Sequence, residues 1–402
     1  MANTLITNRL ATAAAVRIAQ SLPYLTVGSK AYFKNQLADK EGNGQSYTFY
    51  IRDCAKAYNR LDHQAGDKTE MTQRAITLSL DPWHVLIQMN AIEQVTDVKD
   101  WEDDIAKGNI AELLTEVSTK IIDSDLGKIG TAFVGSGFLP LSLASAHVGS
   151  IADGDLYGFC DPNVEAVLTS NGQQFQPVDA PAMYKKGLLG TFHDAEYRKQ
   201  RYFPKVVVSK ALADAVASAK VTGATDNGDG TWTMVASGFT AGINIPKGYP
   251  LFIDGVKATD LIGHSTETDQ CWVVLEAVQT TGATVGLKVR AKAIVDNGTR
   301  EICAEDGTAF ATPANVTGNT YGPEAGRYFM GVVRADGAME FECLPKLIAS
   351  GAEYQKSPTV EGVIVHQNRL VDLKAMTDDI RWDIVTLAGV VESRAVVAFY
   401  VK

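Results

Sequence analysis

The spacing of apolar residues changes character along the chain, and each change predicts a different element. Near the start, Ile6, Leu10, Ala14 and Ile18 recur every fourth residue, the signature of an amphipathic helix. Arg17 interrupts the apolar run there, which argues against a signal peptide. The stretch "SLPYLTVGSKAYFKN" passes Pro23 and Gly28 without periodicity, as an extended arm would. Strict alternation then appears in "SYTFYIR", where Tyr47, Phe49 and Ile51 share a face, and again at Ile76, Leu78 and Leu80. Val85 to Ile87 reads as a second apolar strand. The charged, glycine-containing stretch between these β segments predicts a long hairpin projecting from the body.

A helical stripe follows in "DWEDDIAKGNIAELLTEVSTKIIDSD". Val98, Trp101, Ile105, then Leu113 or Leu114, Val117 and Ile121 trace one face. Asp100 is placed to cap it, and Glu102, Asp103 and Asp104 put negative charge where the helix dipole favours it. Such a helix would be roughly 40 Å long, a structural spine, with Gly108 as its weak point. Residues 131–220 mix short helices and strands, including a helix opened by Pro162. From 221 to about 300 helical periodicity vanishes. β runs such as "GTWTMV", "YPLFIDGV" and "CWVVLEAV" alternate with Gly, Asn and Asp turns, predicting a small antiparallel barrel or sandwich. The end, "DIRWDIVTLAGVVESRAVVAFYVK", gives two more strands, tied into a sheet.

The turn "TDNGDGTWTMV" at 225–235 has the look of a calcium loop and fails the test for one. Counting from Asp226, the third and fifth positions are Gly228 and Gly230 and the twelfth is Ser237, so the carboxylate ligands are missing. Asn227 and the glycines tolerate positive φ, so a hairpin turn is the better reading.

Composition narrows the function classes. A chain of 402 residues with 46% hydrophobic and 21% charged residues implies two or three units with substantial cores. A net charge of −10 argues against a basic nucleic-acid or membrane-surface binder. No stretch is apolar enough to span a bilayer, and a soluble protein made in a cytoplasm is expected. The five cysteines are scattered and form no Cys-x-x-Cys pair, so buried thiols are expected and a metal or redox site is not. "FVGSGF" lacks the first glycine of a nucleophile elbow at Val134, and Gly135 and Gly137 suit a turn. The six histidines fall at no metal-ligand spacing, and the carboxylates of Asp153–Asp155 and Asp378–Asp379 read as solvated turns. No enzyme signature, cofactor or metal site emerges. A competing reading is a β-rich adhesin or decoration protein with a carbohydrate-binding module at 221–300, motivated by Trp232, Tyr249 and Trp272.

The order of elements resembles the major capsid proteins of tailed bacteriophages. "TLSLDPWHVLIQMNAIEQVTDVKDWEDDIAK" leads from a charged hairpin into a spine helix. "MYKKGLLGTFHDAEYRKQRYFPK", "IPKGYPLFIDGVKATD" with "QCWVVLEAV", and the closing "DIRWDIVTLAGVVESRAVVAFYVK" resemble the short-tailed Salmonella phage type. The resemblance implies an α+β, Hong Kong 97-like capsid fold with a long spine helix, an extended β-hairpin arm and an inserted antiparallel β-barrel domain. It implies an N-terminal arm at 1–39, the hairpin at 40–75, a peripheral domain with the start of the axial domain at 76–219, the insertion at 220–315, and the axial domain with closing strands at 316–402. The partners it implies are other copies of the chain in hexamers and pentamers, a scaffolding protein and a portal. Genome DNA would be enclosed without sequence-specific binding, in a virion assembled in the host bacterial cytoplasm. Arg52, Lys56, Arg60, Asp62 and Asp67 on the hairpin are the expected intersubunit contacts.

Overall fold

The computed structural model describes residues 23–30, 46–52, 73–90, 101–170, 188–200, 202–294, 300–344, 353–356, 363–372 and 377–402. Over these the protein is a mixed α+β structure, rich in strands and with few helices, built on three large sheets.

The expected spine is the helix Trp101–Asp125, whose 25 residues span roughly 37 Å. Ile110, Leu113, Leu114, Val117, Ile121 and Ile122 are buried, so the second half of the stripe seen in the sequence meets the core, while the side chains of Trp101 and Ile105 lie outside the described residues. Val98 and Asp100 lie outside the described residues. The spine packs across the strands Gln73–Asn90 and Thr377–Val390.

The expected hairpin is present, with one correction. Ser46–Arg52 runs antiparallel to Gln73–Asn90, with Tyr47 opposite Leu78 and Arg52 opposite Gln73. The two apolar runs expected at 76–80 and 85–87 are a single 18-residue strand that passes through Pro82. Proline breaks a strand where its missing N–H would face a neighbour. Here, from Leu80 to Asn90, the described ladder lies on one side only, against Thr377–Val390. The strand therefore divides its length, with its first part in the hairpin and its second part docked in the first sheet. Thr377–Val390 carries His366–Asp372 and then Met339–Cys343 along its other side. Glu353–Lys356 and Ser29–Lys30 complete that sheet at its ends.

The central sheet is organised around two strands that the apolar runs foretold. Val396–Val401 is buried at every position, and lies between Gly326–Ala335, antiparallel, and Thr131–Gly135, parallel. Leu156–Cys160, Ala195–Lys199 and Leu188–Phe192 continue the sheet from Gly326–Ala335, which also pairs with Lys205–Val208. The helix Leu139–Ile151 covers it. At Gly331 the strands come too close for a side chain, since a Cβ would stand 2.6 Å from the Phe159 carbonyl oxygen and inside the Phe399 ring.

The β-rich stretch from 220 forms an antiparallel sheet in the order Ser265–Val273, Pro250–Thr259, Gly318–Tyr321, Lys220–Asp226, Thr231–Ser237, Thr284–Arg290, with Ile302–Ala304 beside Pro250–Thr259. A small ladder joins Asn244–Ile245 to Val278–Gln279. Among the described residues the two end strands of this sheet do not pair with each other, so the ladder is open where a closed barrel was expected. The strand at 318–321 extends it beyond residue 315.

Its first connection is the turn that resembled a calcium loop. Gly228 and Gly230 have φ of 77° and 80°, conformations that glycine adopts without steric cost. The Asp226 and Asp229 carboxylates accept from the backbone N–H groups of Gly228 and Thr231, each at 2.9 Å, so they close the turn itself.

Candidate functional site

Among the described residues, no group of three or more His, Cys, Asp or Glu is placed to hold a metal ion, and no helix is long and apolar enough to cross a membrane. Cys160, Cys271, Cys303 and Cys343 are buried free thiols, and burial pushes Cys343 up to about 12. Asp153 and Asp155 lie exposed in a turn. Ser136 and Gly137, with φ 65°, turn the chain from Thr131–Gly135 into Leu139–Ile151. The aromatics that motivated a carbohydrate module are core residues: Trp232, Tyr249 and Trp272 are 2%, 0% and 1% exposed, so none of the three presents a face to a sugar.

The hairpin is packed at its base and open along its outer part. Tyr47 and Leu78 join Leu344, Val385 and Leu387 in a small apolar cluster of their own. Further out, the Thr48 and Thr77 hydroxyls pair at 2.7 Å on an exposed face, and Tyr50 is 64% exposed. Of the predicted contact residues, Arg52 closes the described strand opposite Gln73, while Lys56, Arg60, Asp62 and Asp67 lie outside the described residues.

Two buried polar joints fix the units that carry this hairpin, and sequence reading missed both. In the first, the segment 23–30 is seated by Arg334, which is fully buried. The Arg334 guanidinium donates to the Ser29 hydroxyl at 2.9 Å and to the Val27 carbonyl, and lies 5.1 Å and 4.9 Å from the Tyr24 and Phe159 ring centres. Burial pulls its pKa down to about 10. The Tyr24 hydroxyl donates to Asp125 at 3.4 Å, and Asp125 also accepts from the Val390 N–H at 3.2 Å. Thus the end of the spine, the first sheet and the central sheet meet on this segment. The sequence carried one signal for it, Arg334 following directly on the apolar run Phe329–Val333, while Asp125 stands in a helix rich in other charges.

The second joint seats the β-rich sheet against the central sheet. Glu301 accepts from Arg290 at 2.9 Å, from the Ala293 N–H at 2.9 Å, and from the Ser393 hydroxyl. Burial alone would raise the Glu301 carboxyl, but Arg290, Lys292 and these hydrogen bonds outweigh it and hold it well below the usual carboxylate range. Lys292, lowered to about 8 by burial, donates to the Ile129 carbonyl at 2.7 Å. Thr131 donates to the Asp269 carbonyl at 2.7 Å, and His147 Nδ1 lies 3.2 Å from the Thr268 hydroxyl.

Beyond Thr131 the two sheets diverge and leave a wedge-shaped cleft of about 500 Å³. One wall is the outer side of Thr131–Gly135, the last strand of the central sheet, which no other described strand pairs. The other wall is Phe252 stacked on Tyr321 at 5.0 Å, with the Tyr321 hydroxyl held by Asp269. Asp269 in turn meets Lys257 at 2.6 Å.

No family model matches the chain, and no curated protein matches it. Solved structures do align with it over most of its length. Mycobacterium phage Che8 aligns over 93% of this chain and 89% of its own, at 11% identity and a TM-score of 0.45. The capsid structure of cyanophage P-SCSP1u aligns over 90% and 84%, at 10% identity and a TM-score of 0.40. A virus-like particle from Pyrococcus furiosus aligns over 97% of both chains, at 8% identity and a TM-score of 0.40. These are distant likenesses, each with a TM-score below 0.5.

Proposed function

We propose that the chain is a major capsid protein that self-assembles into the icosahedral head of a tailed bacteriophage. The observation that carries this reading is the hairpin. A two-stranded ribbon is marginally stable in water by itself. This one is anchored by a small cluster at its base and leaves Thr48 and Tyr50 exposed further out. It gains stability when a neighbouring molecule covers it, and its anchoring strand is shared with the sheet backed by the spine, so a load on the ribbon passes into the body. The order of elements met in the sequence, from hairpin strand through spine to closing strands, supports the same reading.

On this proposal the finer features follow the resemblance: a Hong Kong 97-type fold with an insertion of the short-tailed Salmonella phage type. Double-stranded DNA is enclosed, and a scaffolding protein and portal take part in assembly in the host cytoplasm. The division at 1–39, 40–75, 76–219, 220–315 and 316–402 belongs to the proposal too. Hairpin residues Arg52, Lys56, Arg60, Asp62 and Asp67 exchange ion pairs with the next subunit, each weak alone and repeated around a closed shell. The net charge of −10 suits a wall that encloses DNA without adhering to it.

Negative-stain electron microscopy of the protein expressed alone, and then with its scaffold, tests the reading. Closed shells or shell fragments are the expected result. Discrete monomers or small oligomers under both conditions would overturn it.

A further inference from the structure

We propose that the helix Leu139–Ile151 is a self-pairing surface, which in the assembled particle packs antiparallel against the same helix of a second copy of this chain, about a two-fold axis at Ala146. The proposal rests on the shell reading above, which supplies the second copy.

The helix is unusual for a surface element. One face covers the central sheet, with Leu141, Ala144 and Val148 buried. The opposite face is where a surface helix carries its charges, yet the helix holds no Asp, Glu, Lys or Arg at any position. That face offers Leu139 at 61% and Leu143 at 42% exposure, followed by the exposed small residues Ala146, Gly149 and Ser150. Leu139, Leu143, Ala146 and Ser150 are spaced four, three and four residues apart, the seam along which one helix meets another. Apolar groups gathered in this way mark a contact surface.

Gly149 is an independent sign of the same contact. A glycine inside a helix is destabilising relative to alanine, and the fold gives no reason for one here. Its φ is not positive, and a Cβ would meet only Leu156, at an ordinary 3.5 Å. Outside, an open groove of about 590 Å³ runs past Ala146, Gly149 and Ser150 to Asp153 and Asp155, banked by the His193–Asp194 turn. A side chain at 149 would therefore obstruct only what approaches from outside.

The identity of the occupant follows from the order of residues along the seam. Large groups stand before Ala146 and small ones after it. Turned end for end about Ala146, a second copy brings its Gly149 level with Leu143 and its Leu143 level with Gly149. Each leucine then enters the space that a glycine leaves. An uncharged seam also meets its own image without like-charge repulsion. At the ends, the first turn holds no acid and Phe138 gives no side-chain cap, while Asp153 and Asp155 stand exposed beyond the last turn. The antiparallel arrangement sets those carboxylates beside the start of the partner's helix, where the dipole favours negative charge. A parallel arrangement would put leucine on leucine and acid on acid. At roughly 20 Å the helix makes a small interface, weak in solution and repeated around a closed shell.

The experiment uses the full chain carrying Cys54→Ser, the cysteines among the described residues being buried. Ala146→Cys stands on the proposed axis, and mild oxidation of purified particles is expected to give a disulfide-linked dimer of the chain. Ser150→Cys would lie roughly 12 Å along the seam from its own image, too far to bridge, and is expected to give none. Particles without a dimer at Ala146→Cys, an equal dimer from Ser150→Cys, or a cross-link to a different protein each overturn the proposal. In parallel, Gly149→Leu is expected to lower particle yield at least tenfold with no fall in melting temperature. Adding Leu143→Ala to it is expected to restore most of the yield, because the large and small groups have exchanged places. A Gly149→Leu chain that assembles as the unmodified chain does overturns the proposal even if the cysteine variants assemble poorly, and so does a double variant no better than Gly149→Leu. If the unmodified chain forms no particles, the shell reading itself fails, and Ala146→Cys oxidised in concentrated solution still decides the contact.

Discussion

At the scale of single residues, the structure turns on polar groups set among apolar ones, and His147 shows the consequence most directly. It is 8% exposed, sits edge-on to Phe133, and burial lowers its pKa to about 4. The unfolded chain binds this proton near pH 6.5, before the folded protein does, so protonation favours unfolding as the pH falls. The full contribution of the neutral ring is present above about pH 6.5 and is lost progressively toward pH 4. The loss is roughly 3 kcal/mol, at about 1.4 kcal/mol per pKa unit. Urea denaturation across that window should show the decline, and His147→Gln should flatten it. Arg334 is a second case. Replacing it with Ala removes the group that holds the Val27 carbonyl and Ser29, and should cost about 3–5 kcal/mol by calorimetry. Neither role was legible beforehand. A histidine or arginine in an apolar run announces that something must satisfy it, but the satisfying atoms here come from across the chain.

At the scale of elements, two substitutions on the spine should act with opposite signs. Leu114 is fully buried, and Leu114→Ala should destabilise the fold by about 2–5 kcal/mol. Gly108 is exposed, with open space where a Cβ would go, so Gly108→Ala should stabilise by about 0.5–1 kcal/mol. Thermal melts of the two variants would check both. Elements with strong periodicity or strong turn chemistry were the legible ones: the spine, the 226–231 turn, and the closing strands. What the sequence hid was pairing. The apolar runs at 76–80 and 85–87 read as two strands, yet the described ladder beside Pro82 is one-sided and a single strand runs through. Gly318–Tyr321, short and polar, offered no strand pattern of its own. It is a strand because Pro250–Thr259 and Lys220–Asp226 supply ladders on both sides.

At the scale of the whole molecule, the question is how copies meet. Charge reversal by Arg52→Glu with Arg60→Glu should reduce shell yield in electron micrographs, and a yield equal to that of the unmodified chain would remove the hairpin charges from the contact. Glu301→Gln probes the other joint. It leaves the buried Lys292 and the half-buried Arg290 without their counter-charge and should destabilise the protein by about 3 kcal/mol, measured by calorimetry at neutral pH. The mixture of helices and strands and the order of the large elements were legible in the pattern of apolar residues. The cleft could not, because its walls, at 131–135, 252 and 321, come together only once two sheets have been assembled.

The parallel pairing of Thr131–Gly135 with Val396–Val401 has a consequence in time as well as in space. More than half the chain lies between the two partners, so the end of the central sheet is closed by a contact of very high sequence separation. Closing a loop of that length must precede the reward of burying the apolar strand. Until it happens, "VVAFYV" has a ladder only on its Gly326–Ala335 side and keeps its other edge as an uncovered β-prone segment. Refolding from denaturant should therefore be slow and lose material to aggregation as concentration rises, and holdase chaperones should raise the yield more than they raise the rate.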